Sequence, residues 1–168
     1  MNHPLTHPYG PSDPELDLSF ERNVAAPPGA IYRAWTEPER LKRWFAPEPW
    51  TTPHAEVDPR PGGVFRTVMR GPDGSEFDGP GCVLDAVPNE RFVWTGALGP
   101  GFRPVPHRDD DLLFTAVIVL EPAGAGATRY RVVVLHPDAE ARSRHEAMGF
   151  HEGWGTAADQ MIATLDAD

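Results

Sequence analysis

Hydrophobic and polar positions change their period along the chain, and each change marks a different kind of element. From Leu16 to Val24, "LDLSFERNV" alternates Leu16, Leu18 and Phe20 with Asp17, Ser19 and Glu21, the period of a half-buried strand. The next stretch, "APPGAIYRAWTEP", spaces Ile31, Ala34 and Trp35 along one helical face, with Pro28 in the first turn, where a missing N–H is tolerated. A second short helix is expected directly after it, with Thr36 as its cap, Pro38 near its start, and Leu41, Trp44 and Phe45 on one side. Pro47 and Pro49 end that segment.

From Thr51 the period is two. "TTPHAEVDP" reads as a strand, and "VFRTVMR" as another with Phe65, Thr67 and Met69 on one face. "GPDGS" is a tight turn, and "FDGPGCVLDAV" continues the sheet with a bend or bulge at Gly79 and Gly81. "RFVWTGAL" returns with Phe92 and Trp94 on one face; after the loop "GPGFRPVPHRDDD" come the strands "LLFTAVIVLEP" and "RYRVVVLHP". The expected architecture is a five- or six-stranded antiparallel meander with two short helices inserted after its first strand. Asp138 is placed to cap a helix beginning "AEARSRHEAM", and from Phe150 the apolar positions Trp154, Ala157, Ala158, Met161 and Leu165 recur every three or four residues. His151, Glu152, Asp159 and Gln160 fall mostly on its other faces. Gly153 and Gly155 flank Trp154, either for close packing of the helix or to leave room beside the indole. The polar, Pro-rich residues 1–14 read as a loose leader, and 15–168 as one α+β domain.

"HEAMGFHEGW" raises the question of a metal site. Zinc-protease helices place two histidines four apart, on one face. His145 and His151 are six apart, which sets them about 120° apart around a continuous helix. No third ligand has matching spacing, so no metal is expected, and both histidines read as solvated helix residues.

Bulk composition narrows the classes. The formal net charge is −10, and such a chain is repelled by phosphate backbones and anionic bilayer surfaces. No apolar run approaches the ~20 residues of a membrane span. The N-terminus lacks a basic segment followed by an apolar one, so it is not a secretory signal. The single cysteine, Cys82, excludes an internal disulfide, and a cytoplasmic location is expected. No Gly-x-Ser-x-Gly elbow is present, "RPGG" opens a strand and not a phosphate loop, "RDDD" lacks the ligand spacing of a calcium loop, and Cys82 reads as a buried filler. The polar side chains available for chemistry are His54, Glu76, His107 and His136.

Three segments in order, "ERLKRWFAP" at 39–47, "RPGGVFRTVMRGPDGSEF" at 60–77 and "HEAMGFHEGWGTAADQM" at 145–161, together resemble the START-like (SRPBCC) helix-grip superfamily. The resemblance is to the AHSA-type branch, named after activators of the ninety-kilodalton heat-shock chaperone's ATPase, and it runs from about Leu16 to Leu165. It implies a curved antiparallel sheet wrapped around a long C-terminal helix, with a hollow between them. Phe65, Thr67, Met69, Phe92, Trp94, Tyr130, Val132, Val134, Phe150, Trp154 and Met161 would then point inward, with Trp44 and Phe45 closing one end. The expected function is binding of a small, mostly apolar or aromatic molecule by Trp44, Phe65, Met69, Trp94, Tyr130, Phe150, Trp154 and Met161, without a cofactor. This superfamily also hosts lipid carriers, stress-response proteins, cyclases, hydrolases and chaperone regulators. The alternatives are therefore a chaperone ATPase regulator acting through its surface, an enzyme using the cavity's polar residues, and a dimer-forming structural domain whose interior is full.

Overall fold

Leu18 is buried between polar neighbours because β1 (Asp17–Val24) is an edge strand with one face on the core. The computed structural model describes residues 7–106 and 111–165. After β1 come α1 (Pro28–Thr36) and α2 (Pro38–Leu41), then β2 (Thr51–Val57), β3 (Phe65–Arg70), β4 (Glu76–Gly79), β5 (Cys82–Val87) and β6 (Arg91–Thr95). A small hairpin, β7 (Leu98–Gly99) with β8 (Arg103–Pro104), precedes β9 (Thr115–Pro122) and β10 (Thr128–Leu135). Two helices, α3 (Ala139–Ala147) and α4 (Phe150–Leu165), follow.

The strands do not form one uninterrupted meander. One sheet has the order β1-β10-β9-β6-β5 and a second the order β2-β3-β4, every pairing antiparallel. The stretch expected to continue as one strand, "FDGPGCVLDAV", divides at Pro80 and Gly81, where the chain leaves the second sheet for the first. The sheets are stitched there by Phe65 N–H to the Gly81 carbonyl and Val83 N–H to the Gly63 carbonyl. A Cβ on Gly81 would lie 2.7 Å from the Thr95 carbonyl oxygen and 2.8 Å from that of Phe65, so only glycine permits this close crossing. The bent sheet that results grips α4 in its concavity, an α+β helix-grip architecture.

Alternation decides which residues enter the core. Tyr130, Val132 and Val134 on β10 join Ile118 and Leu120 on β9 and Phe92 on β6 beneath α1 and α4. Val133, Val117, Val119 and Val93 point the other way and form a small cluster on the outer face. Near that face Tyr9 donates its hydroxyl to Asp85, which also pairs with Arg91 at 2.6 Å. The described part of the expected leader thus makes a specific contact with β5. Fully buried aromatics such as Trp35, Phe65 and Phe92 each remove about 150–250 Å² from water and contribute on the order of a few kcal/mol.

Two local expectations are corrected. Thr36 does not cap α2: its hydroxyl donates back to the Tyr32 carbonyl at 2.8 Å, and Glu37 occupies the cap position. Helical geometry also stops at Leu41, so Trp44 and Phe45 lie in the turn that follows α2. Asp138 does cap α3, accepting from the Ala141 N–H at 2.8 Å. The helix then breaks at Met148–Gly149, where Gly149 takes φ +93°, before α4 begins.

Candidate ligand cavity

A cavity of about 510 Å³ opens between the first half of α4 and the bent sheet. Phe150, Gly153, Trp154 and Ala157 form the helix wall, and Met69 on β3, Phe77 on β4 and Trp94 on β6 form the sheet wall. Trp44, Phe45, Pro47 and Trp50 close the end after α2, while Leu112, Phe114, His145 and Met148 close the opposite side. Gln160 ties two of these walls together. Its amide nitrogen donates to the carbonyls of Trp44 at 3.0 Å and Ala46 at 2.8 Å, and its oxygen accepts from the Glu48 N–H at 2.9 Å. The Trp44 indole is fixed as well, by its N–H to the Ala34 carbonyl at 3.1 Å.

The residues expected to bind a ligand fall into two groups. Trp44, Met69, Trp94, Phe150 and Trp154 border the cavity. Phe65, Tyr130 and Met161 do not: each is sealed in the core. Phe65 stacks against Trp94 with ring centroids 4.4 Å apart, forming a layer beneath the wall. Tyr130 accepts the Trp35 indole N–H at 3.1 Å, and Met161 lies further along α4. Their inward direction matches the alternation, but their depth places them below the hollow. The two glycines beside Trp154 also separate in role. A Cβ on Gly153 would meet only Pro47, at 4.0 Å, whereas one on Gly155 would press on the Arg22 guanidinium at 3.1 Å. Gly153 therefore leaves space and Gly155 serves packing.

The polar candidates are similarly divided. His54 is exposed and paired with Glu56 at 2.9 Å, within a surface network that Arg66 extends to Asp78. Glu76 is exposed and paired with Arg70 at 2.7 Å. Neither reaches the cavity. His107 and the first three residues of "RDDD" lie outside the described residues. Cys82 is buried, with its thiol directed at the Val83 carbonyl at 3.4 Å.

His136 is buried and has a partner that periodicity did not reveal. Its Nε2 lies 3.0 Å from Nδ1 of His145, and its Nδ1 lies 2.8 Å from the Leu16 carbonyl oxygen. His145 is thus not a solvated helix residue: it is 7% exposed, against the Phe114 ring at 4.8 Å and the Phe150 ring at 5.1 Å. After the break at Gly149, Phe150 at the start of α4 packs its ring against the imidazole. Burial lowers the pKa of both rings, that of His145 to about 4, so both are neutral at pH 7. His151 remains exposed beside Glu146 at 3.6 Å. No group of three or more potential metal ligands occurs among the described residues.

A second hollow of about 500 Å³ lies across the histidine pair, bordered by His136, Phe114 and the polar side chains Asp111, Asp138, Glu140 and Arg144. Phe114 borders both hollows, with His136 on this side and His145 on the apolar side. The apolar one matches the proportions of small-molecule sites, which are chiefly hydrophobic with a few placed polar groups.

Comparison with solved structures places these features in a known fold. A protein from Nitrosomonas europaea is 43% identical, with a TM-score of 0.88 over 93% of this chain and 97% of that one. A protein from Rhodobacter sphaeroides is 25% identical, with a TM-score of 0.77 over 94% and 97% of the respective chains. One from Mycobacterium smegmatis is 28% identical, with a TM-score of 0.73 over 90% and 91%. No curated protein matches the chain. Among the described residues no helix is long and apolar enough to cross a membrane. The family model described as Activator of Hsp90 ATPase homolog 1-like protein matches residues 25–166, and the chain belongs to that family.

Proposed function

We propose that this protein binds a small, mostly apolar molecule in the cavity between α4 and the sheet. The observation that carries the reading is the hollow itself. Aromatic side chains that would ordinarily fill a core instead border about 510 Å³ of space, with Trp154 and Met69 half-buried along it. The hollow opens to solvent, so these apolar faces stay wetted and forfeit dispersion contacts and transfer energy together. An occupant recovers both, at roughly 25 cal/mol per Å² of apolar area less the cost of association, which is sufficient for micromolar affinity. Among the described residues the one titratable side chain on the cavity wall is His145, held neutral beside a second neutral histidine, so the wall offers an apolar occupant no opposing charge. The test is a titration with naphthalene-sized hydrophobic probes, followed by tryptophan fluorescence and melting temperature. Saturable one-to-one binding that weakens at least tenfold in Gly153→Leu, whose side chain would occupy the hollow, supports the reading. Absence of saturable binding by every probe overturns it.

A further inference from the structure

The histidine pair gives the cavity a directional polar group, and the direction can be derived atom by atom. A backbone carbonyl can only accept, so the 2.8 Å contact with the Leu16 oxygen requires His136 to carry its proton on Nδ1. The neutral ring then presents a lone pair at Nε2, and the 3.0 Å contact requires Nδ1 of His145 to donate to it. The proton of His145 is thereby committed to Nδ1, leaving its Nε2 as an acceptor. That atom has no protein partner among the described residues. It is also not one of the sealed and unpartnered atoms of the core, which are Thr52 Oγ1, Trp94 Nε1 and Arg131 Nε. His145 borders the apolar cavity and not the second hollow, so an Nε2 that is neither partnered nor sealed is directed to the apolar one.

We propose, building on the cavity-binding reading, that the occupant is a neutral aromatic alcohol whose O–H donates to Nε2 of His145. Trp44, Phe114, Phe150 and Trp154 supply ring faces and edges for the aromatic body. A purely apolar molecule would strip water from Nε2 and return nothing. A carboxylate would bring its negative charge against a lone pair, and an ammonium would enter a wall without a carboxylate to receive it. A phenolic hydroxyl meets the lone pair without adding charge.

Four probes of one size separate these cases: 2-naphthol, 2-methoxynaphthalene, 2-naphthoate and 2-naphthylmethylamine, titrated at pH 7 into the full chain. The expected result is that 2-naphthol binds about fivefold more tightly than its methyl ether, the margin of one hydrogen bond. In His145→Phe that margin should collapse. The ¹⁵N resonance of His145 Nε2 in the unaltered protein should shift upfield on naphthol binding and stay in place with the ether, a readout independent of any variant. Equal affinity for naphthol and its ether overturns the hydroxyl assignment while leaving the apolar cavity reading standing. Tighter binding of the carboxylate or the amine also overturns it. Binding of none of the four overturns both.

Discussion

Acidification from pH 7 to pH 5 should destabilise this protein through His145. Its folded pKa is about 4, below the ordinary 6.5, because burial penalises the imidazolium and His136 beside it adds to the penalty. Between those two values the unfolded chain binds a proton that the folded chain refuses, so stability is full above pH 6.5 and falls as pH drops through the window. At pH 5 the unfolded imidazole is almost fully protonated and the folded one almost fully neutral, a difference of about 2 kcal/mol relative to pH 7. For a domain of this size that is a fall of about 4–8 °C in melting temperature. His136, also depressed by burial, acts with the same sign. The acidic groups with lowered pKa, such as Asp78 held by Arg66 and Asp73 held by the Ser75 N–H, are pushed further below the ordinary carboxylate range and leave this window to the histidines. The assay is differential scanning fluorimetry or calorimetry at half-unit pH steps. In His145→Phe the fall between pH 7 and 5 should shrink to less than half. A flat profile, or an unchanged fall in that variant, would refute a buried neutral pair.

Other substitutions probe the walls separately. Gly153→Ala should raise the melting temperature by about 2–4 °C, since alanine gains roughly 1 kcal/mol in a helix interior and its Cβ meets nothing closer than Pro47 at 4.0 Å. Phe65→Ala should cost about 3–5 kcal/mol in urea denaturation, as a large aromatic removed from a sealed layer. Met69→Ala, half-buried at the cavity wall, should cost much less and weaken probe binding instead. Gln160→Leu strands the Trp44 and Ala46 carbonyls and the Glu48 N–H, and should cost about 1–3 kcal/mol by the same denaturation measurement.

Much of the scaffold was legible because faces are encoded in period. The alternation of Tyr130, Val132 and Val134 and the stripe from Phe150 to Met161 each named the buried side correctly. Period reports which side a residue faces and not how deep it lies, so Phe65 and Met69 were indistinguishable on one strand although one is sealed and the other borders space. Phe114 and Leu112 precede β9 in irregular backbone, where no period exists to place them. His145 was misplaced because helical spacing was extended across Met148–Gly149, where the helix breaks and Phe150 comes to pack against it. Gln160 was placed only on a face away from the apolar stripe, because polarity alone cannot show that three backbone groups of a distant turn converge on one amide.

The three bonds of Gln160 have a mechanical meaning. They weld the turn after α2 to α4, so that the end wall of the cavity and the helix beside it travel as one arm. Separating the end wall from the helix would therefore break three hydrogen bonds at once. Among the described residues the junction of α3 and α4 has no such weld: Gly149 adopts φ +93° there and Met148 stands 68% exposed.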